Sequence, residues 1–317
     1  MRKYRYFLVF AEELSISRAA DRLFITRQCL SKYLNNLEKE YGTMLFERAP
    51  VITLTPAGEA YLEMLREIEL LEKNYESKLA TLSSATKGTL RFGTTEGRYR
   101  ILIPSLLSEF KKEYPDVIVD AQYNTTTHLL EQLKENNLDL ALMNKRDVDE
   151  KRYDTITLLH EDLHLVISDN LLKQFFPDEY PACKQTFKNG VSLKQFVDVP
   201  FILSKIGFNS RNVLEKQLQT EGIRLKCVLE ITQTDLHFML AAKDYAACFT
   251  WTMYIPMIQR ENLDPTLSAL NVFPAKGLQN SNEVVLAFPK SKIFPPYAKA
   301  FIKLIKKQSV AFASIST

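Results

Sequence analysis

The 317-residue chain has no hydrophobic run able to span a bilayer. Its most apolar stretch, FMLAAKDYAACFTWTMYIPM, is interrupted by Lys243 and Asp244. The start, MRKYRYFLVFAEELS, is basic and then apolar, but Glu12 and Glu13 break it and no small-residue cleavage site follows, which argues against a signal peptide. A cytoplasmic protein with no membrane partner is the expectation. Cysteine is scarce: Cys29, Cys183, Cys227 and Cys248 are far apart and match no zinc or redox spacing, so they read as reduced structural thiols. The 4 histidines are equally scattered. With 9 glycines there is no phosphate-cradling loop, and neither a nucleophile elbow nor an H-E-x-x-H helix occurs. No metal, no cofactor and no catalytic residues are therefore expected.

What is present is an ordinary soluble composition, 46% apolar and 25% charged, in a chain long enough for two or three cores. The net charge of +3 is small but unevenly placed. Residues 1–58 carry 9 Lys or Arg against 6 Asp or Glu, and the remainder is balanced at 32 of each. Clustered positive charge near a polar helix face is the footprint of a nucleic-acid binder.

The stretch SISRAADRLFITRQCLSKYLNNLEKEYG at 15–42 supplies such a face. Ile16, Ala19, Ala20 and Leu23 recur at helical spacing, as do Leu30, Leu34, Leu37 and Tyr41, so two short helices share one core across the corner FIT. Thr26 sits where the N-cap of the second helix belongs. Gln28, Ser31, Lys32 and Asn35 fall opposite its apolar stripe, with Arg27 at the flank. This is a helix-turn-helix whose second helix is suited to the major groove: Arg27 to a guanine edge, Gln28 to adenine, and Ser31, Lys32 and Asn35 to bases or phosphates. A plain helical hairpin in an all-α subdomain is the alternative at this point. The sequence that follows, TMLFERAPVITLTPAGEAYL, has a β-branched hairpin leading into a helix with Pro56 at its start, the shape of a winged helix.

These residues resemble the LysR-type transcriptional regulators. Their pattern of paired alanines, a recognition helix ending in LE, then G..LF.R and LT.AG appears as Ala19, Ala20, Leu37, Glu38, Gly42, Leu45, Phe46, Arg48, Leu54, Thr55, Ala57 and Gly58. The recognition helix departs from the family at Arg27, Gln28 and Cys29, so the family's base preference does not transfer. The wing APVIT has no basic residue, which leaves phosphate contact there to Arg48 and backbone groups.

From Pro56 to about Thr86 the chain reads as one long helix, with Tyr61, Leu65, Ile68, Leu71, Tyr75, Leu79 and Leu82 spaced like a coiled-coil seam. Packing of that helix on its own domain is the alternative to dimerisation. SSATKG at 83–88 marks a domain boundary. Beyond it, strand-like and helix-like runs alternate (TLRFGTT, ILIPSLLSEFKKEYP, VIVDAQY, THLLEQLKENN, LDLALMN, then PFILS through VVLAFP), which argues for parallel βαβ units. PPYAKAFIKLIKK closes the chain as an amphipathic helix. G.L..G, YP.V, L..LDLAL and P.I resemble the family's effector-binding domain, a two-lobed fold built like periplasmic binding proteins. The implied α/β architecture is a winged helix-turn-helix at 1–58, a linker helix at 59–87 and an effector domain at 88–317. Lobe I would hold about 88–161 and 268–317, lobe II about 162–267, with crossings near Glu161–Leu163 and Pro265–Leu270. The stretch FFPDEYPACKQTFKNG at 175–190 is longer than usual and has no assigned role.

Ligands in such folds sit where strands hand over to helix N-termini. The junctions GTTEGRYR, YNTTTHLL and LSKIGFNSRN nominate Thr95, Thr126, Thr127 and Ser204 as effector contacts, with Arg98 or Arg100 to neutralise an anion. The expected function is a sequence-specific regulator of transcription that senses a small anionic metabolite. Its expected partners are double-stranded DNA, the effector, further copies of itself as a homodimer or homotetramer, and RNA polymerase. The competing reading is a two-lobed binding protein or enzyme in which the N-terminal helices are accessory. Loss of specific DNA binding at physiological salt would favour that second reading.

Overall fold

The structure, a computed structural model, describes residues 3–48, 51–82 and 86–313. The chain divides into two compact units, Met1–Ser83 with Lys134–Asn136, and Ser84–Leu133 with Asn137–Thr317.

The first unit begins with α1 (Arg5–Glu13), α2 (Ile16–Leu23) and α3 (Arg27–Tyr41). α1 sends Phe7, Leu8 and Phe10 into a core shared with Ala19, Ala20 and Leu23 of α2 and Leu30, Leu34 and Leu37 of α3. The Ser15 hydroxyl accepts from Arg18 N at 3.4 Å and opens α2; Thr26 Oγ1 accepts from Cys29 N at 3.1 Å and opens α3. Phe24 adopts the left-handed conformation, φ 56°, that turns the chain between them. A short wing follows: β1 (Phe46–Glu47) pairs antiparallel with β2 (Thr53–Leu54), setting Phe46 opposite Leu54. Ala49 and Pro50 of the expected wing lie outside the described residues.

α4 (Pro56–Leu82) is the long helix. Its start needs glycine, because a Cβ on Gly58 would lie 1.9 Å from the Leu45 carbonyl oxygen. Its apolar stripe serves two masters. Leu62 and Leu65 are buried in the core of the head, with Tyr61 and Ile68 packed against it. Farther along, Leu71 is 65% and Tyr75 63% exposed, with Leu79 also exposed. The early part of the stripe is therefore head core, and only the later part is open to a second helix. The expected boundary segment at 83–88 falls partly outside the described residues.

The second unit continues in chain order with β3 (Gly88–Thr94), α5 (Glu96–Glu113), β4 (Val117–Tyr123), α6 (Thr126–Lys134), β5 (Leu140–Asn144) and β6 (Tyr153–Glu161). Next come β7 (Leu163–Ser168), α7 (Asp169–Phe175), α8 (Cys183–Phe187), β8 (Pro200–Ser204), α9 (Asn209–Glu221) and β9 (Lys226–Ile231). The last elements are α10 (Thr234–Ala241), β10 (Cys248–Trp251), α11 (Ile255–Glu261), β11 (Leu270–Pro274), β12 (Asn282–Pro289) and α12 (Pro296–Ala313). Lobe I is a five-stranded sheet of order β4-β3-β5-β12-β6, parallel among β3, β4 and β5 and antiparallel at β12. Phe92 on β3 meets Phe301 of α12, which in turn stands edge-on to Phe110 of α5. Lobe II repeats the plan: β8 pairs parallel with β9, β8 and β10 are linked through Ala247, and β7 runs antiparallel between β10 and β11.

The chain leaves lobe I between Glu161 and Leu163, where β6 ends and β7 begins. The return crossing is a correction. β11 pairs with β7 over Leu270–Pro274 and so belongs to lobe II, while β12 belongs to lobe I, which puts the crossing at 275–281 and not near Pro265–Leu270. Lobe I accordingly resumes at about 282 instead of 268. The long stretch at 175–190 folds inward: Phe187 packs against Phe176, Phe196 and Phe273, so its aromatic residues fill the lobe II core.

Candidate functional site

The DNA-reading face is the solvent side of α3. With Leu30, Leu34 and Leu37 turned into the core, Arg27, Gln28, Lys32 and Asn35 are exposed and Ser31 is half-buried. Thr26 holds the helix start. Arg27 and Lys32 form no ion pair among the described residues, whereas Arg18 pairs with Glu13 and Arg22 with Glu12 and Glu13. Arg27 and Lys32 thus bring positive charge free of a carboxylate to the helix suited to the groove. Arg48, expected at phosphate, is already engaged: its Nη2 donates to Asn35 Oδ1 at 2.6 Å and to Glu38 Oε2 at 3.1 Å, with the guanidinium over the Phe46 ring. Glu38, buried, also accepts from Leu45 N at 2.9 Å. This triad ties the wing to the recognition helix and fixes the Asn35 amide.

In the second unit a cleft of about 1100 Å³ is lined by both lobes. Four helix N-termini reach its wall, α5 at Glu96, α6 at Thr126, α9 at Asn209 and α10 at Thr234. All six nominated residues line it: Thr95, Arg98, Arg100, Thr126 and Thr127 from lobe I, and Ser204 from lobe II. Strand-to-helix handover explains why they converge. No side-chain cap closes the starts of α5 or α9, which leaves their first-turn N–H groups available, whereas in α10 Leu236 N donates to Asp235 Oδ1 at 3.1 Å.

The floor is a polar network joining both lobes and both crossings. Arg98 is 4% exposed, and its Nη2 donates to Asn144 Oδ1 at 2.8 Å and to Glu161 Oε2 at 3.1 Å. Asn282 Nδ2 donates to Glu161 Oε2 at 2.9 Å and to Asn144 Oδ1 at 3.0 Å, and Asn282 Oδ1 accepts from Asn209 Nδ2 at 3.0 Å. Glu161 Oε1 accepts from Met253 N at 3.3 Å. Arg100 lies at the wall between Glu96 of its own helix and Asp235 of α10, both at 3.0 Å, so this ion pair spans the lobes. The two arginines expected to meet an anion are thus each balanced by carboxylates of the chain. Gly97 admits Tyr254 of lobe II, whose hydroxyl would lie 2.4 Å from a Cβ there; burial pushes that phenol up to about 12, keeping it neutral. His237, also in the wall, is buried and its Nε2 donates to the Ile231 carbonyl, and desolvation lowers its pKa.

The junction rule that nominated Thr95 and Ser204 also covers Asn209, in LSKIGFNSRN, and Asp235, at the start of α10; both were passed over. Asn144, Glu161 and Asn282 carry no local signal as floor residues, since each acts through partners far away in sequence.

A winged helix-turn-helix with an open reading helix, on one chain with a two-lobed cleft, is the make-up of a DNA-binding regulator with an effector domain. Residues 83–309 match the LysR substrate binding domain, and residues 1–59 match the bacterial regulatory helix-turn-helix protein, lysR family. The chain belongs to the LysR family of transcriptional regulators. It is similar to the HTH-type transcriptional activator CmpR of Synechocystis, 24% identical over 99% of this chain and 98% of that one. It also resembles the HTH-type regulator YnfL of Escherichia coli, 30% identical over 64% of each chain. Among solved structures, a full-length OxyR variant from Pseudomonas aeruginosa shares the fold at TM-score 0.65 and 19% identity, covering 99% of this chain and 98% of that one. Full-length CbnR complexed with its target DNA matches at TM-score 0.54 and 19% identity, covering 97% and 99%. No helix among the described residues is long and apolar enough to cross a membrane.

Proposed function

We propose that this regulator acts in the cytoplasm as a homodimer or homotetramer and reads double-stranded DNA through α3. In this reading its hold on DNA changes when a small polar metabolite occupies the cleft. Thr26, Arg27, Gln28, Ser31, Lys32 and Asn35 form the DNA contact set, with Arg48 positioning Asn35. Thr95, Thr126, Thr127 and Ser204 form the effector contact set above the Arg98 floor. RNA polymerase is the further partner at a promoter, and the cleft binds without catalysing.

The observation that carries this reading is the cleft itself: four helix starts from two lobes meet around about 1100 Å³. That is a site for a small polar molecule. The exposed Leu71, Tyr75 and Leu79 on α4 support self-association, and a dimer would give the two half-sites that a helix-turn-helix usually needs. A ligand that prefers one arrangement of the lobes shifts the population toward it, and a coupling of about 1–3 kcal/mol is enough for a useful switch.

The test is a gel-shift titration of the full-length protein on its own promoter DNA, with and without a panel of metabolites. One metabolite should change DNA affinity by roughly 5- to 150-fold, and Thr126→Val should abolish that change while preserving basal DNA binding. A metabolite effect that survives Thr126→Val would place the effector elsewhere.

A further inference from the structure

We infer that the metabolite of this cleft carries a ring-sized apolar group, aromatic or branched, beside its polar groups, and that Tyr123, Ile206 and Phe208 bind that group. This rests on the reading of the cleft as the effector site and specifies the ligand's class. Three large apolar side chains of the wall are open to solvent: Ile206 is 79%, Tyr123 53% and Phe208 44% exposed. Among the described residues none of the three belongs to a hydrophobic core or packs against one. Tyr123 ends β4 of lobe I, with its ring 5.5 Å from that of Tyr99. Ile206 and Phe208 stand on a tight turn of lobe II, where Phe208 N donates to the Lys205 carbonyl at 3.2 Å and Gly207 takes a φ of 97°. Such a turn needs its glycine, but Ile206 and Phe208 add nothing to its geometry, and polar residues would serve there without exposing apolar surface. Apolar side chains left open on both lobes of one concave site mark a ligand groove.

The rest of the wall agrees. Leu130, Phe249, Trp251 and Met257 also line the cleft, so the three exposed side chains extend a lining that is already apolar in part. The arginines of the wall are engaged by the chain's own carboxylates: Arg98 with Glu161 at 3.1 Å, Arg100 with Glu96 and Asp235 at 3.0 Å, and Arg146 with Asp147 at 3.6 Å. Charge therefore offers a ligand less than the apolar surface does, and release of water from Tyr123, Ile206 and Phe208 supplies the affinity while hydroxyls and amides orient the polar end. A small molecule is the fitting occupant, because the three side chains come from two lobes around about 1100 Å³, near the upper end of small-molecule sites.

The experiment uses Trp251, the chain's single tryptophan, whose place in the cleft lining makes its fluorescence a reporter of occupancy. The full-length protein is titrated with matched pairs that differ by a phenyl group: acetate and phenylacetate, glycolate and mandelate, glycine and phenylalanine, acetamide and phenylacetamide. Tm is followed in parallel. At least one ring-bearing compound should change the fluorescence saturably and raise Tm, binding roughly 10- to 150-fold tighter than its compact partner, the range expected for burying a group of that size. Ile206→Ser with Phe208→Ser should weaken it at least about tenfold and leave Tm without ligand unchanged, because both side chains are exposed. A compact compound that binds as tightly as its ring-bearing partner, a ring-bearing compound indifferent to the double variant, or no response to any ring-bearing compound overturns the inference. If a compact compound binds and Thr126→Val removes it, the effector reading stands and only the apolar group falls. If a compound raises Tm without moving Trp251 fluorescence and ignores Thr126→Val, both fall.

Discussion

Glu161→Ala is the perturbation that the cleft floor makes most costly. The side chain is 0% exposed and accepts from Arg98, Asn282 and the Met253 backbone, contacts that reach helix, crossing and opposite lobe. Removing it leaves the Arg98 guanidinium buried without its counter-charge, and breaking a buried pair from one side costs about 3–5 kcal/mol. For a unit of this size each kcal/mol moves Tm by about 2–4 °C, so a fall of roughly 6–20 °C is expected in the transition of the second unit. Replacing both members, Arg98→Met with Glu161→Met, removes the unpaired charge and should recover a large part of the loss. A double-mutant cycle by urea unfolding measures this, with coupling of about 0.5–3 kcal/mol expected for directly bonded residues. Additive single losses, or a Glu161→Ala loss under about 1 kcal/mol, would refute the view that this ion pair holds the floor together.

Two other consequences are direct. On α4, Leu71→Lys with Tyr75→Lys should leave a folded but largely monomeric protein, because these side chains are exposed. Leu65→Lys should instead unfold the head, since Leu65 is 2% exposed in its core; light scattering with circular dichroism separates the two outcomes. His164 and His237 are both buried with pKa values lowered from 6.5 by desolvation, so the unfolded chain takes up protons first as pH falls. Stability should therefore be constant above about pH 6.5 and fall progressively below it, and His164→Gln or His237→Gln should flatten that slope in urea unfolding across pH.

Much of the fold was legible because it is encoded locally. The two helices around FIT follow from the spacing of Ala19, Ala20, Leu30 and Leu34, and the caps Ser15 and Thr26 fix their starts. The βαβ rhythm from β3 to β5 and from β8 to β10 came from alternating apolar periods. β6, β7 and β11 were not legible in the same way, because they exist through pairing across the sheets: β7 is held by β10 and β11, about a hundred residues away. That same distance hid the second crossing. The cleft positions Thr95, Thr126, Thr127 and Ser204 were reachable by the junction rule. The engagement of Arg98 by Glu161, 63 positions later, was not, and neither was the claim of the head core on Leu65. Arg48 is a further case: its residue type suits phosphate, while its bonds to Asn35 and Glu38, 13 and 10 positions earlier, show only in the folded chain.

The measurement that tests the account most directly is selection of bound sequences from a random duplex pool, at fixed salt, by the full-length protein and by Arg27→Ala. If the exposed face of α3 reads bases, wild type enriches one motif, and Arg27→Ala loses preference at one position per half-site, a change worth about 1–3 kcal/mol there. If Arg27→Ala enriches the same motif with the same preference at every position and only binds more weakly, Arg27 meets phosphate and the reading face proposed here is wrong.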